Sequence, residues 1–192
     1  KKLGLNFKVL ASFGHIRDLD KKTLSINVND NFNPTYVIST GKHRVIKDLK
    51  LYANKKDCNN VWLASDKDRE GESIAWHLYK TLKLTPENTK RAVFTEITKK
   101  AIQKSIENPK EIDMNMFYSQ QARRVLDRLI GYLITPILWK HFQNSYKKGH
   151  SLSAGRVQSV VNKLVCERES EILKFSSSSY YKTTGGTELR RL

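Results

Sequence analysis

The sequence predicts an α/β domain, a parallel sheet flanked by helices, followed by an all-helical segment. Three observations carry this reading. Short apolar runs alternate with stretches of helical periodicity up to about residue 112. Beyond it apolar residues recur at helical intervals only, and an acidic string sits where an apolar strand passes into a helix. Strands alternating with helices at this rhythm imply parallel pairing, because each crossover helix returns the chain in the same direction.

The elements follow in order. Val9 to Ala11 is expected as a short apolar strand, ended by a turn at Gly14 in "SFGHIRDLD". Lys21 to Asn33 is polar but alternates through Leu24, Ile26 and Val28, which suggests a hairpin or edge strand. A turn at Pro34 leads into a strand from Tyr36 to Ile38, and Val45 to Tyr52 reads as a helix. "VWLAS", Val61 to Ser65, is a buried strand. After "DKDREGE" comes a helix, Ser73 to Leu82, with Ile74, Leu78 and Leu82 on one face. Ala92 to Phe94 is a further strand and Thr98 to Ile106 a further helix. From Met116 to Leu138 the spacing predicts one long helix, or two joined near Pro136. A polar loop, His141 to His150, precedes another amphipathic helix, opened by Ser153 as its N-cap. The serine run at 176–179 reads as a linker.

Charge narrows the partner. Thirty-five Lys and Arg against 19 Asp and Glu give a formal net charge of +16. A positive field of this size favours polyanions, nucleic acid first, because neutralised phosphates release counterions. A lysine-rich solvated surface is the plain alternative. Cys58 and Cys166 stand far apart and suit a reducing compartment better than a disulfide framework. No apolar run approaches the roughly 20 residues of a membrane-spanning helix. A soluble, cytoplasmic, monomeric protein is the expectation.

The acidic string has the strongest chemical content. Asp66 and Asp68 lie two apart at the carboxyl end of a strand, so extended backbone points both carboxylates the same way. Glu70 follows at the turn into the helix. Three carboxylates here suit Mg²⁺, a hard cation that takes one or two carboxylates and keeps its waters. Ligands also gather beyond the carboxyl ends of parallel strands. Arg69 is placed to hold a phosphate, and Gly71 permits close backbone approach. A charged loop capping a helix is the plain alternative.

Two basic helices suggest how a polyanion is held. Arg124 and Arg128 share a helix face, with Arg123 and Asp127 beside them, and Tyr132 lies four residues beyond Arg128, where it can stack on an unpaired base. A salt-bridged solvent face is the alternative. In "SLSAGRVQS", Ser153, Gly155 and Arg156 place amides and a cation at a helix start, an anion site, and Gln158 is within reach of a base or sugar.

These strings together resemble one family. "DKDREGE" resembles the second acidic motif of the Toprim domain, and "SIAWHL" narrows the likeness to type IA DNA topoisomerases. "GHIRDL" at 14–19, "FTEITKKAI" at 94–102, "QQARRVLDRLIGYLITPILW" at 120–139 and "LSAGRVQS" at 152–159 follow in the family's order. The resemblance implies a Toprim-like parallel sheet in residues 1–112, a helical DNA-binding segment in 113–175, and a linker or the start of a further domain in 176–192. It implies catalytic roles for Asp66, Asp68, Glu70, Arg69 and His15, and Mg²⁺ held by Asp66, Asp68 and Glu70. It implies single-stranded DNA contacts from Arg123, Arg124, Asp127, Arg128, Tyr132, Ser153, Gly155, Arg156 and Gln158. Glu96 is read as structural. The family cuts through a 5′-phosphotyrosine link, yet none of the eight tyrosines stands in the family's "YxRTDS"-like string. The family's first Toprim strand is expected just before residue 1. A Toprim nuclease or primase, and a non-catalytic DNA-binding scaffold, are the rival readings.

Overall fold

A computed structural model describes residues 7–142 and 152–186. Two short antiparallel pairs come first: β1 (Arg17–Leu19) with β4 (Tyr36–Ile38), and β2 (Ile26–Asn27) with β3 (Asn33–Pro34). The hairpin expected in the polar stretch is therefore present, with Pro34 inside its second strand instead of at a turn. The strand expected at Val9 to Ala11 does not form. Val9 is 72% exposed, and three apolar residues without a sheet to pack on give no reason to extend. The real strand, β1, lies in "GHIRDL", whose charged residues hid it from periodicity.

The chain continues through α1 (His43–Ala53), β5 (Val61–Asp66), α2 (Arg69–Leu82), β6 (Thr89–Phe94), α3 (Lys99–Glu107) and α4 (Met114–His141). β5 and β6 pair in parallel, Val61 opposite Thr89 and Asp66 opposite Phe94. This is the parallel sheet flanked by helices that the alternation predicts. Leu63 of β5 packs with Ala75 and Leu82 of α2 and with Leu84, all buried, while Leu49 and Ile112 close the cluster. Burying each such leucine contributes roughly 2 kcal/mol.

Local chemistry sets the helix starts. Asp68 caps α2 by accepting from the Gly71 amide at 2.6 Å, Thr98 caps α3 through the Ala101 amide at 3.2 Å, and Asp113 caps α4 through the Asn115 and Met116 amides. Each such cap is worth about 1 kcal/mol. Gly71 is required by contact: a Cβ there would collide with the Asp66 carbonyl.

α4 is one helix with Pro136 inside it. It docks on α2 through Phe117, whose ring stacks on Trp76 at 4.0 Å. Its inward face is unexpectedly polar. Gln121 donates to the Tyr36 hydroxyl at 3.4 Å, and Arg128 donates to the Asp20 and Thr23 carbonyls at 2.8 and 3.2 Å. Tyr118, Leu126, Leu133 and Ile137 of the apolar pattern are exposed instead.

The chain forms two compact units divided between Ser153 and Ala154. The second contains α5 (Arg156–Lys174), capped by Gly155 with no side-chain cap bond. Ser153 is thus not the N-cap: the backbone stays extended through Gly155, two residues further on. Residues 175–186 have no regular secondary structure. The expected loop at 141–150 falls largely outside the described residues; His141 itself closes α4.

Candidate active site and nucleic-acid interface

A buried arginine organises the sheet end that carries the acidic string. Arg91 on β6 is 1% exposed. Its Nε donates to Glu72 Oε1 at 3.0 Å, Nη1 faces the carbonyls of Leu63, Ser65 and Ala92 at 2.5–3.0 Å, and Nη2 donates to the Asp66 carbonyl at 2.9 Å. The other Glu72 oxygen accepts from the Asp113 amide at 3.2 Å. One buried ion pair therefore ties the carboxyl end of β5, the first turn of α2 and the start of α4 together. Neither Arg91 nor Glu72 was singled out in the sequence. The usable signal was a charged residue at an inward position of a strand and of a helix.

Beyond that sheet end lie two hollows. One, of about 270 Å³, is lined by Asp66, Lys67 and Asp68 with Phe94 and Thr95. The other, of about 250 Å³, lies between β1, α2 and α4 and includes His15, Glu70 and Gln120. Glu70 Oε2 accepts from His15 Nε2 at 3.1 Å and from Gln120 Nε2 at 3.2 Å. Asp66 and Asp68 thus share one hollow and Glu70 faces the other. No group of three or more His, Cys, Asp or Glu side chains suited to a metal ion occurs among the described residues. What the fold does bring together is an exposed carboxylate pair at parallel strand ends, a donor set that Mg²⁺ accepts when phosphate and water complete its shell. Arg69 begins α2 and is exposed, and Glu96 accepts from the Thr98 hydroxyl at 2.9 Å.

The second hollow holds further charged groups. Arg124 grips Asp18 with two parallel bonds, Nε to Oδ1 at 3.0 Å and Nη2 to Oδ2 at 2.5 Å. Burial alone would raise the Asp18 carboxyl, but the bonds from Arg124 and the Leu19 amide prevail and hold it below the usual range. Arg17 donates to His77 Nδ1 from Nε at 3.2 Å and from Nη2 at 3.0 Å. Burial, helped by the Arg17 charge, pushes the His77 imidazole down to about 3, so it is neutral at ordinary pH. Asp18, Arg17 and His77 belong to "GHIRDL" and "AWHL", strings noticed for their likeness and not for these contacts.

The remaining basic residues are dispersed. Arg123 lies 3.8 Å from Asp127 on the outer side of α4, and Tyr132 is 44% exposed two turns further on. In the second unit Gln158 folds over Gly155, so that a Cβ on the glycine would meet its Oε1 at 2.7 Å. Ser153, Arg156 and Gln158 are exposed. None of the described helices is long and apolar enough to cross a membrane.

Asp66 and Asp68 stand where the parallel strand β5 runs into α2, the fold and donor pair expected of a Toprim domain. Residues 1–97 match the family described as Toprim domain, and residues 111–190 match the family described as DNA topoisomerase. The chain is also similar to full-length topoisomerase I from Thermotoga maritima, at 44% identity and a TM-score of 0.77 over 91% of this chain. It spans 28% of the length of that protein. The chain belongs to the type IA DNA topoisomerases, with a Toprim domain in its first half.

Proposed function

We propose that this chain supplies the metal-binding and part of the DNA-binding machinery of an enzyme that relaxes negatively supercoiled DNA. The enzyme cleaves one strand through a 5′-phosphotyrosine link, passes another strand and religates. The observation that carries the reading is the Asp66 and Asp68 pair in one hollow at the strand ends. In this reading the two aspartates hold Mg²⁺, which when bound offsets the charge of the phosphoryl group in transfer. Arg91 fixes the strand end from which Asp66 projects. Glu70 and His15 form a hydrogen-bonded pair across which a proton can pass. Arg69 and the α4 residues Arg123, Arg124, Asp127, Arg128 and Tyr132 face the single strand. Arg124 and Arg128 do so only by exchanging partners they hold in the free protein. Ser153, Gly155, Arg156 and Gln158 add contacts at the start of α5. The nucleophilic tyrosine comes from another part of the enzyme.

The test is an end-labelled single-stranded oligonucleotide incubated with the chain and Mg²⁺, run on native and denaturing gels. A native shift with the oligonucleotide uncut is the expected result. A protein-linked product would place the nucleophile within these 192 residues. Free cleaved ends would favour a Toprim nuclease, and no shift would remove DNA binding from the reading.

A further inference from the structure

We propose that Arg17 is a preformed contact for a DNA backbone phosphate in the cleft between β1, α2 and α4. This rests on the DNA-binding reading above and adds a residue to it. The argument begins with charge compensation. Arg91 is neutralised by Glu72, Arg124 by Asp18, and Arg123 lies near Asp127. Arg17 has no carboxylate at ion-pair distance among the described residues. Its partner is the neutral His77 imidazole, which accepts hydrogen bonds yet cancels no charge.

The two carboxylates that share the cleft are already engaged. Glu70 accepts from His15 and Gln120, and Asp18 is bracketed by Arg124. Arg17 is thus a guanidinium lining the space of about 250 Å³ whose side-chain hydrogen bonds go to a neutral ring and not to a carboxylate. Holding a half-buried cation without a counterion is costly, and burial accordingly draws Arg17 below the ordinary arginine range. An anion entering the cleft would remove that cost.

The guanidinium is also held in place. It lies 5.6 Å from the Tyr36 ring centroid and 5.5 Å from that of Trp76. Trp76 in turn stacks on Phe117 of α4. His77, 2% exposed, fixes the edge formed by Nε and Nη2. A guanidinium has five N–H donors, so the Nη1 side remains for a ligand. A planar fork, pinned on one edge and open on the other, suits two phosphate oxygens and loses little freedom on binding them.

The test is fluorescence anisotropy of a labelled oligothymidylate titrated with the chain over a series of salt concentrations, with thermal unfolding of each variant alongside. Arg17→Gln is expected to weaken binding on the order of tenfold. It should also flatten the plot of log K against log salt by about 0.7, the loss of one phosphate contact on a single strand. Arg17→Lys should keep the slope but bind several-fold more weakly, because an ammonium has no fork. Leu82→Ala, a core change remote from the cleft, should lower the unfolding temperature and leave the slope alone. An unaltered slope in Arg17→Gln with a lowered unfolding temperature would make Arg17 a packing residue and overturn the proposal. Full affinity in Arg17→Lys would overturn the forked contact. If the unmodified chain shows no salt-dependent binding, the DNA reading itself fails and this inference falls with it.

Discussion

Removing one member of the Arg91–Glu72 pair should unfold much of the Toprim domain's stability, and removing both should not restore it. Glu72→Ala leaves a guanidinium in a position 1% exposed. Breaking a buried pair in this way costs about 3–5 kcal/mol. For a chain of this size each kcal/mol shifts the unfolding midpoint by roughly 2–4 °C, so a fall of about 10 °C is expected. An ordinary buried ion pair can be exchanged for apolar residues at little cost. Here the double change Arg91→Met with Glu72→Leu also strips the carbonyls of Leu63, Ser65, Asp66 and Ala92 of a donor. Nη1 has two hydrogens for three of those oxygens, so not every contact is a full bond. Even two stranded carbonyls cost about 2–6 kcal/mol together. Urea unfolding followed by circular dichroism gives the free energies of the single and double variants. A double variant as stable as the unmodified chain would refute the argument, because it would mean the arginine's backbone contacts carry no weight.

Three further outcomes are expected. Gly71→Ala forces α2 off the Asp66 carbonyl and should cost about 1–3 kcal/mol, read in the same unfolding experiment. The folded state holds His77 neutral with a pKa of about 3 against 6.5 for the free side chain, so the unfolded chain binds the extra proton between those values. Stability from this source is complete above pH 6.5 and declines by at most about 1.4 kcal/mol per unit as pH falls towards 3. His77→Gln should flatten that decline, and an unchanged pH profile would assign the loss to other groups. Asp66→Asn with Asp68→Asn should abolish Mg²⁺-displaceable binding of Mn²⁺, followed by loss of the free ion's electron paramagnetic resonance signal, and should abolish relaxation in the complete enzyme. Unchanged Mn²⁺ binding would exclude the pair as metal ligands.

Most of the fold was legible because its elements obey simple periodicity. β5, α2, β6 and α3 appear where short apolar runs alternate with helical spacing, and the cap at Asp68 explains why α2 starts at Arg69, four residues before the Ser73 start that its apolar spacing suggests. The acidic string stood out for the same reason, since its position after an apolar strand fixed its place at a strand end. What escaped depends on long-range partners. Arg91 and Glu72 are charged residues in buried positions, and only their pairing across 19 residues makes that tolerable. The inward face of α4 is polar because β1 presents Asp18 and open carbonyls to it, and β1 itself was invisible to hydrophobic patterning. The split of Asp66 and Asp68 from Glu70 follows from helix geometry: once Asp68 caps α2, Glu70 lies inside the first turn and turns away towards His15.

Pro136 gives α4 two mechanical regimes. Ahead of it the helix is fastened to the body of the domain by Phe117, Gln120, Gln121, Arg124 and Arg128, contacts spread over three turns of one face. At the proline the amide that would bind the carbonyl of Tyr132 is missing. Beyond it Ile137 and Trp139 are about half exposed. Beyond the proline the Trp139 indole donates to the Leu152 carbonyl at 2.7 Å, so that end of the helix is held by one backbone contact where the first part is held by many side chains. Tyr132, whose carbonyl the proline leaves without its helical donor, is 44% exposed on that same turn.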